Sequence, residues 1–273
     1  MAAEPSIASI GGRAARLLGE PGGWHVEAVF DRSFYIRSGD EFICIGDASI
    51  GNGPLNALLA HVSRPPQGEP RAPVNLDVST AKIWHAQPWP AAPANLSPNY
   101  FQHVIQFALR ETPPESFMHA TFSAAEPQTA LARRARAGAT ALKAGLASND
   151  TAKFGEAASL LLGLGPGLTP SGDDVLSGAL VTLFALGEAT RALVLAQSIS
   201  TRMCAATSPL SRAFLRAACD GESSAAAYQA ILALMLGGKA AGVVSPLRSL
   251  GETSGFDMLA GIVMVGQNAG RNL

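Results

Sequence analysis

Two ten-residue stretches of this chain follow one pattern, SGDDVLSGAL at 171–180 and SGFDMLAGIV at 254–263. Aligned without a gap, they pair Ser171 with Ser254, Gly172 with Gly255, Asp174 with Asp257, Leu176 with Leu259 and Gly178 with Gly261. Each opens on Ser, a preferred N-cap. An Asp three positions later completes a capping-box-like S-x-x-D and complements the helix dipole. Each then continues as a helix that is apolar nearly all round, which suits a buried central position and not a surface one. The glycines at 178 and 261, one turn after each Asp, let another helix or a ligand come close. The pattern predicts two buried helices whose starts converge on one cleft.

The rest of the chain can enclose such helices. It has 273 residues, enough for one large domain or two ordinary ones, and its 48% hydrophobic against 15% charged content allows a sizeable core. The net charge of −1 gives no electrostatic case for nucleic acid or an anionic membrane, so a small anionic metabolite or a protein partner fits better. Cys44, Cys204 and Cys219 are widely spaced, which argues against zinc and a disulfide framework and for a reducing compartment. The start, MAAEPSIASIGGRAARLLGE, carries an early acid and no signal-peptide core. The longest apolar runs, around 175–187 and 258–266, fall short of the roughly 20 residues of a membrane span. A cytoplasmic protein is expected.

Composition divides the chain. His25–Phe30, Ser33–Arg37 and Glu41–Gly46 read as strands, with Ser38-Gly39-Asp40 as a hairpin turn. Val74–Val78 reads as a further strand, and GNGPLNALL at 51–59 as a turn leading into a short helical or extended piece. The proline-rich segment 86–98 reads as a linker. Helical spacing follows over 99–110, 127–147, 151–162, 173–186, 190–206, 209–220, 224–236 and 255–265. The expected fold is α+β, a β-rich N-terminal module at 1–98 and a larger all-α C-terminal domain at 99–273.

Glycine follows the Ser in both repeats, although it is a poor helix former. A bare backbone there is expected to leave the helix end open, with its N–H groups accessible. In the first copy the approach is the glycine-rich loop GLGPGLTP, with the Thr169 and Ser171 hydroxyls beside those N–H groups. Such an end is a ready anion site. A Walker A loop would finish in Gly-Lys-Ser/Thr, whereas this one finishes in Gly-Asp-Asp, so it is no ordinary nucleotide cradle. The candidate catalytic residues are Asp173, Asp174 and Asp257. The candidate ligand-binding residues are Gly165, Gly167, Thr169, Ser171, Gly172, Ser254 and Gly255. The carboxylates would either hold Mg²⁺, through Asp174 and Asp257, or orient an amide or ammonium group by accepting its hydrogen bonds.

GLGPGLTPSGDDVLSG, followed in order by TSPLSRAFLRAACDGE at 207–222 and TSGFDMLAG at 253–261, resembles a bacterial family that includes AllH, a subunit of oxamate carbamoyltransferase in allantoin catabolism. GNGPLNALL is similar to a Gly-Pro segment that this family carries after its first strands. The resemblance implies a subunit of a multi-subunit enzyme that interconverts oxalurate plus phosphate with oxamate plus carbamoyl phosphate. It implies carbamoyl phosphate, phosphate or a ureido substrate at the glycine-rich helix ends. Backbone N–H groups of 165–174 would face developing oxyanion charge, and Asp174 or Asp257 would orient the amide nitrogen. Two other classes share the layout: a magnesium-dependent hydrolase with paired Asp motifs at helix starts, and a non-catalytic scaffold subunit.

Other polar residues carry less. His25, His61, His85, His103 and His119 show no metal-ligand spacing. Ser208 and Ser211 read as the cap and first turn of a helix, with Arg212 beside them in reach of an anion. Arg133, Arg134 and Arg136 read as the solvated face of an amphipathic helix.

Overall fold

The computed structural model describes residues 6–61, 73–90 and 97–270. They fall into two compact units, one within Met1–Gln87 and Ser223–Ala226 and one within Pro88–Glu222 and Ala227–Leu273. The layout is α+β, with a mixed sheet in the first unit and helices throughout the second.

The first unit holds β1 (Ile7–Gly11), α1 (Gly12–Gly19), β2 (His25–Val29), β3 (Ser33–Ser38), β4 (Glu41–Gly46), β5 (Asn56–Leu59) and β6 (Lys82–Trp84). The sheet order is β2-β3-β4-β5-β1-β6. The β3–β4 pair is a regular antiparallel ladder from Ser33↔Gly46 to Ser38↔Glu41. Gly39 turns it at φ +59°, a left-handed conformation that glycine adopts without steric cost. Alternate residues supply the core, among them Phe34 and Ile36 of β3 and Ile43 and Ile45 of β4. GNGPLNALL resolves as an extended strand, β5, which pairs parallel to β4 and antiparallel to β1. Its turn is held by Asn56 Nδ2 donating to the Gly51 carbonyl (2.9 Å) and by Ser9 Oγ donating to Asn52 Oδ1 (2.7 Å).

Three readings change here. Residues 7–11 and 12–19, examined in the sequence only for a signal peptide, form β1 and α1. Val74–Val78 forms no strand; near it only the isolated bridges Ser6↔Asp77 and His25↔Pro73 appear. The sixth strand is instead Lys82–Trp84, parallel to β1. Three residues are too few to show a period. Of the linker segment 86–98, residues 91–96 lie outside the described residues, as do residues 1–5 of the N-terminal reading and 62–72 of the strand-like region.

The second unit contains α2 (Pro98–Glu111), α3 (Phe117–Phe122), α4 (Ala130–Ser148), α5 (Thr151–Leu161), α6 (Ser171–Ala185), α7 (Ala189–Ser200), α8 (Met203–Ala206) and α9 (Pro209–Cys219). After α10 (Ala225–Met235) and α11 (Ala240–Val244), a 3₁₀ turn at Ser245–Ser249 leads to α12 (Ser254–Ala269). The stretch 190–206, expected as one helix, breaks at Thr201–Arg202 into α7 and α8; Arg202 Nη1 donates there to the Ser198 carbonyl (2.9 Å). The expected solvated arginine face is put to another use. Arg136 donates to the carbonyls of Ala120, Ser123 and Ala125, and Arg134 to those of Ser159 and Leu160. These guanidinium groups fasten the ends of α3 and α5 while keeping their stems on α4.

α6 and α12 are the two repeated helices, and both are buried along nearly their whole length. A Cβ on Gly178 would overlap the Met258 carbonyl oxygen, and one on Gly261 the Val175 carbonyl oxygen. Met258 is the repeat partner of Val175, as Gly261 is of Gly178. The contact is therefore reciprocal, the signature of a two-fold relation between the two segments. The backbones meet where each helix lacks a side chain, so the pattern seen in the sequence is the pattern of the helix crossing.

Candidate active site at the paired helix starts

The crossing brings both S-x-x-D starts together. Thr169 Oγ1, just before α6, lies 3.1 Å from Ser254 Oγ, the first residue of α12. The hydroxyls are exchanged across the pair. Ser254 acts on the carboxylate of Asp174, and Ser171 on that of Asp257. This corrects the expectation of two self-contained capping boxes. The caps are Pro170 and Thr253, neither making a side-chain cap bond, and the two serines are the first helical residues.

The glycines after the serines are also not open helix ends. A Cβ on Gly172 would overlap the Leu161 carbonyl, and one on Gly255 the Leu247 carbonyl. The Gly172 amide donates to the Leu164 carbonyl at 2.8 Å. Close packing accounts for glycine at these two positions.

The three carboxylates separate into two kinds. Asp173 is satisfied on both oxygens. Its Oδ1 accepts from the Gly163 amide (2.8 Å), and its Oδ2 accepts from Thr207 Oγ1 and from Ser211 Oγ (2.6 Å). It thereby ties the glycine loop to the start of α9. Asp257, fully buried, is fixed by the Phe117 amide, which donates to its Oδ1 at 2.6 Å. Asp174 is less enclosed as a residue, but its Oδ2, like that of Asp257, is buried and has no hydrogen-bond partner.

The electrostatics follow from this enclosure. Burial pushes the Asp174 carboxyl well above the ordinary carboxylate range, the nearby Asp257 charge pushes it further, and Ser254 counteracts in part. Burial likewise raises Asp257 against the opposing hydrogen bonds from Phe117, Ser171 and Thr253. Asp173 is raised by burial and brought back toward normal by Ser211, Thr207 and Gly163. Orphaned carboxylate oxygens cost several kcal/mol of desolvation unless a ligand or cation partners them.

The loop before α6 turns through glycines with positive φ at 163, 165 and 167. Gly163 is packed against the Ala206 carbonyl, whereas Gly167 has open space around it. Pro166, Gly167 and Leu168 are exposed, and Ser208 Oγ donates to the Leu168 carbonyl at 2.8 Å. Ser208 also caps α9 through the Ser211 amide, as its sequence context predicts. Arg212 donates to the Cys204 carbonyl (3.2 Å), a helix-end contact. His119 donates from Nε2 to the Thr112 carbonyl at 3.2 Å. The sequence offered no pointer to Phe117 or to its neighbour Ser116, because a backbone donor 140 positions from Asp257 leaves no local spacing to read.

Residues 161–266 match the family of the oxamate carbamoyltransferase subunit AllH. The matched segment begins at the end of α5 and spans the loop, α6, α9 and most of α12, so it contains both helix starts. No curated protein and no solved structure matches the chain. Among the described residues, no helix is long and apolar enough to cross a membrane.

Proposed function

We propose that this chain is the subunit of a cytoplasmic, oxamate-type carbamoyltransferase that holds the carbamoyl-bearing ureido substrate between Asp174 and Asp257. The observation that carries the reading is the pair of buried carboxylate oxygens without partners, at a site whose other polar groups are largely satisfied. Carboxylates accept hydrogen bonds and a ureido group offers N–H donors, so the two are complementary. The reading departs from an anion site at the helix ends. Each helix start already carries an acidic side chain in its first turn, which disfavours a phosphate there. Binding of the phosphate co-substrate is accordingly assigned to partner subunits.

In the proposed reaction a phosphate oxygen attacks the ureido carbonyl, the bond from that carbon to the oxamate nitrogen breaks, and the nitrogen takes up a proton. Asp174, whose carboxyl is held protonated to unusually high pH, is suited to supply that proton. Asp257, held from behind by Phe117, keeps a fixed oxygen for the terminal –NH₂. Thr169, Ser171 and Ser254 position the two carboxyls, and Gly165 and Gly167 give the covering loop its turns. Asp173 holds that loop on α9 and takes no part in the transfer.

Mg²⁺ fits the same oxygens less well. Among the described residues no group of three or more His, Cys, Asp or Glu side chains assembles. The test is the melting temperature of the purified chain with oxalurate, inorganic phosphate or Mg²⁺ at millimolar concentration. Oxalurate is expected to raise it, with the shift lost in Asp257→Asn. A shift with phosphate or Mg²⁺ and none with oxalurate overturns the assignment.

A further inference from the structure

Ser116, between α2 and α3, lies outside the segment matched to the family, yet it adjoins the site. It is 1% exposed, and its hydroxyl has no hydrogen-bond partner. The next residue, Phe117, is the one whose amide fixes Asp257 Oδ1. Asp257 is thus tied by its Oδ1 to the residue that follows Ser116, and both the Ser116 hydroxyl and Asp257 Oδ2 are buried without a partner. The corner that carries Ser116 is firmly made. The Ser116 amide donates to the Pro113 carbonyl (3.0 Å), and His119 holds the Thr112 carbonyl from the next turn.

A buried hydroxyl and a buried carboxylate oxygen left unpartnered are each expensive, and natural proteins retain such groups where a ligand or water joins them. The hydroxyl donates and the carboxylate oxygen accepts. Together they complement the edge of a primary carboxamide, whose carbonyl accepts and whose –NH₂ donates. We propose that Ser116 is a substrate-binding residue that donates its hydroxyl hydrogen to the carbonyl of the carbamoyl group while Asp257 Oδ2 accepts from the –NH₂ of the same group. The assignment rests on the reading of Asp174 and Asp257 given above and adds a hydrogen-bond donor to it. It also gives the bond direction a use. As phosphate attacks, negative charge grows on the carbonyl oxygen, and a donor already in place strengthens with it.

The experiment is calorimetric titration of oxalurate into the full chain and into Ser116→Ala, Ser116→Thr and Asp257→Asn, with the melting temperature of each unliganded protein. Ser116→Ala is expected to bind about tenfold more weakly, the loss of one buried hydrogen bond. Ser116→Thr, which keeps the hydroxyl, should bind within about threefold of the parent chain. The unliganded Ser116→Ala protein should melt no lower than the parent, since its hydroxyl satisfies nothing within the chain. Unchanged oxalurate affinity in Ser116→Ala overturns the assignment while leaving the carboxylate reading intact, as does a lowered melting temperature of the unliganded variant. Failure of the parent chain itself to bind oxalurate removes both.

Discussion

The starts of α6 and α12 share a sequence pattern and a reciprocal contact, but their surroundings differ. In the first copy the residue before the paired Asp is Asp173, which ties the glycine loop to α9; in the second it is Phe256, buried in the core. Asp257 is anchored by a backbone amide and fully enclosed, whereas Asp174 is approached by the Ser254 hydroxyl and is less enclosed as a residue. The shared residues build the crossing, and the unshared ones give it a direction. One carboxyl is fixed and the other is held less firmly, an arrangement in which two chemically identical groups can take different roles.

The symmetry itself is the easiest part to break, with the largest effect. In Gly261→Ala the new methyl would collide with the Val175 carbonyl oxygen and lie 2.7 Å from the Ala179 amide nitrogen, with backbone on every side and no flexible atom to yield. A loss of about 3 kcal/mol is expected, the upper end for overpacking, or roughly 6–12 °C in melting temperature. Gly178→Ala, against Met258, should cost a similar amount. Denaturant unfolding of both variants checks this, and a cost confined to one of them would show that the two-fold relation does not extend to the packing.

The difference between the carboxyls is sharpened by pH. Both pKa values are raised on folding. Each group therefore contributes stability that is fully present below the unfolded carboxylate pKa of about 3.9 and is lost as pH rises through the folded value. Asp174→Asn removes the titrating group and keeps the shape. It should raise stability at pH 8 by roughly 1 kcal/mol, with the gain vanishing near pH 4. Asp257→Asn should gain less, because the Phe117 amide already favours the ionised form and is left facing a weaker acceptor. Thermal unfolding across that pH range measures both curves. A destabilised Asp174→Asn at pH 8 would mean that its carboxylate has a favourable partner within the protein beyond the Ser254 hydroxyl.

The sequence made the central pair legible because its information is local: a cap-like serine, an aspartate three positions on, and glycine at one-turn spacing. The strands at 25–46 were legible for the same reason, through alternation and a glycine turn. What stayed hidden was non-local or carried by backbone. The exchange of hydroxyls between the two starts and the amide of Phe117 on Asp257 pair residues far apart in the chain, and the space at Gly172 and Gly255 is filled by backbone carbonyls of Leu161 and Leu247. Glycine at 172 and 255 was read as openness because a sequence shows that a side chain is missing and not what occupies its place.

The smallest expected effect concerns the side-chain bond that joins the glycine loop to the second helix start, Thr169 Oγ1 to Ser254 Oγ at 3.1 Å. Thr169→Val keeps the β-branched shape and removes that bond. The global cost should be small, about 0.5–1 kcal/mol, since both hydroxyl positions are only partly buried and Ser254 retains Asp174 as a neighbour. The informative readout is local. Amide hydrogen exchange at Gly167 and Leu168 should quicken while that of α6 and α12 stays unchanged, because the loop is still held by Asp173 on one side and by Ser208 on the other. If exchange quickened at the N-termini of both helices as well, the loop would be part of what holds the two starts together. The asymmetry between them would then be a matter of stability as much as of access.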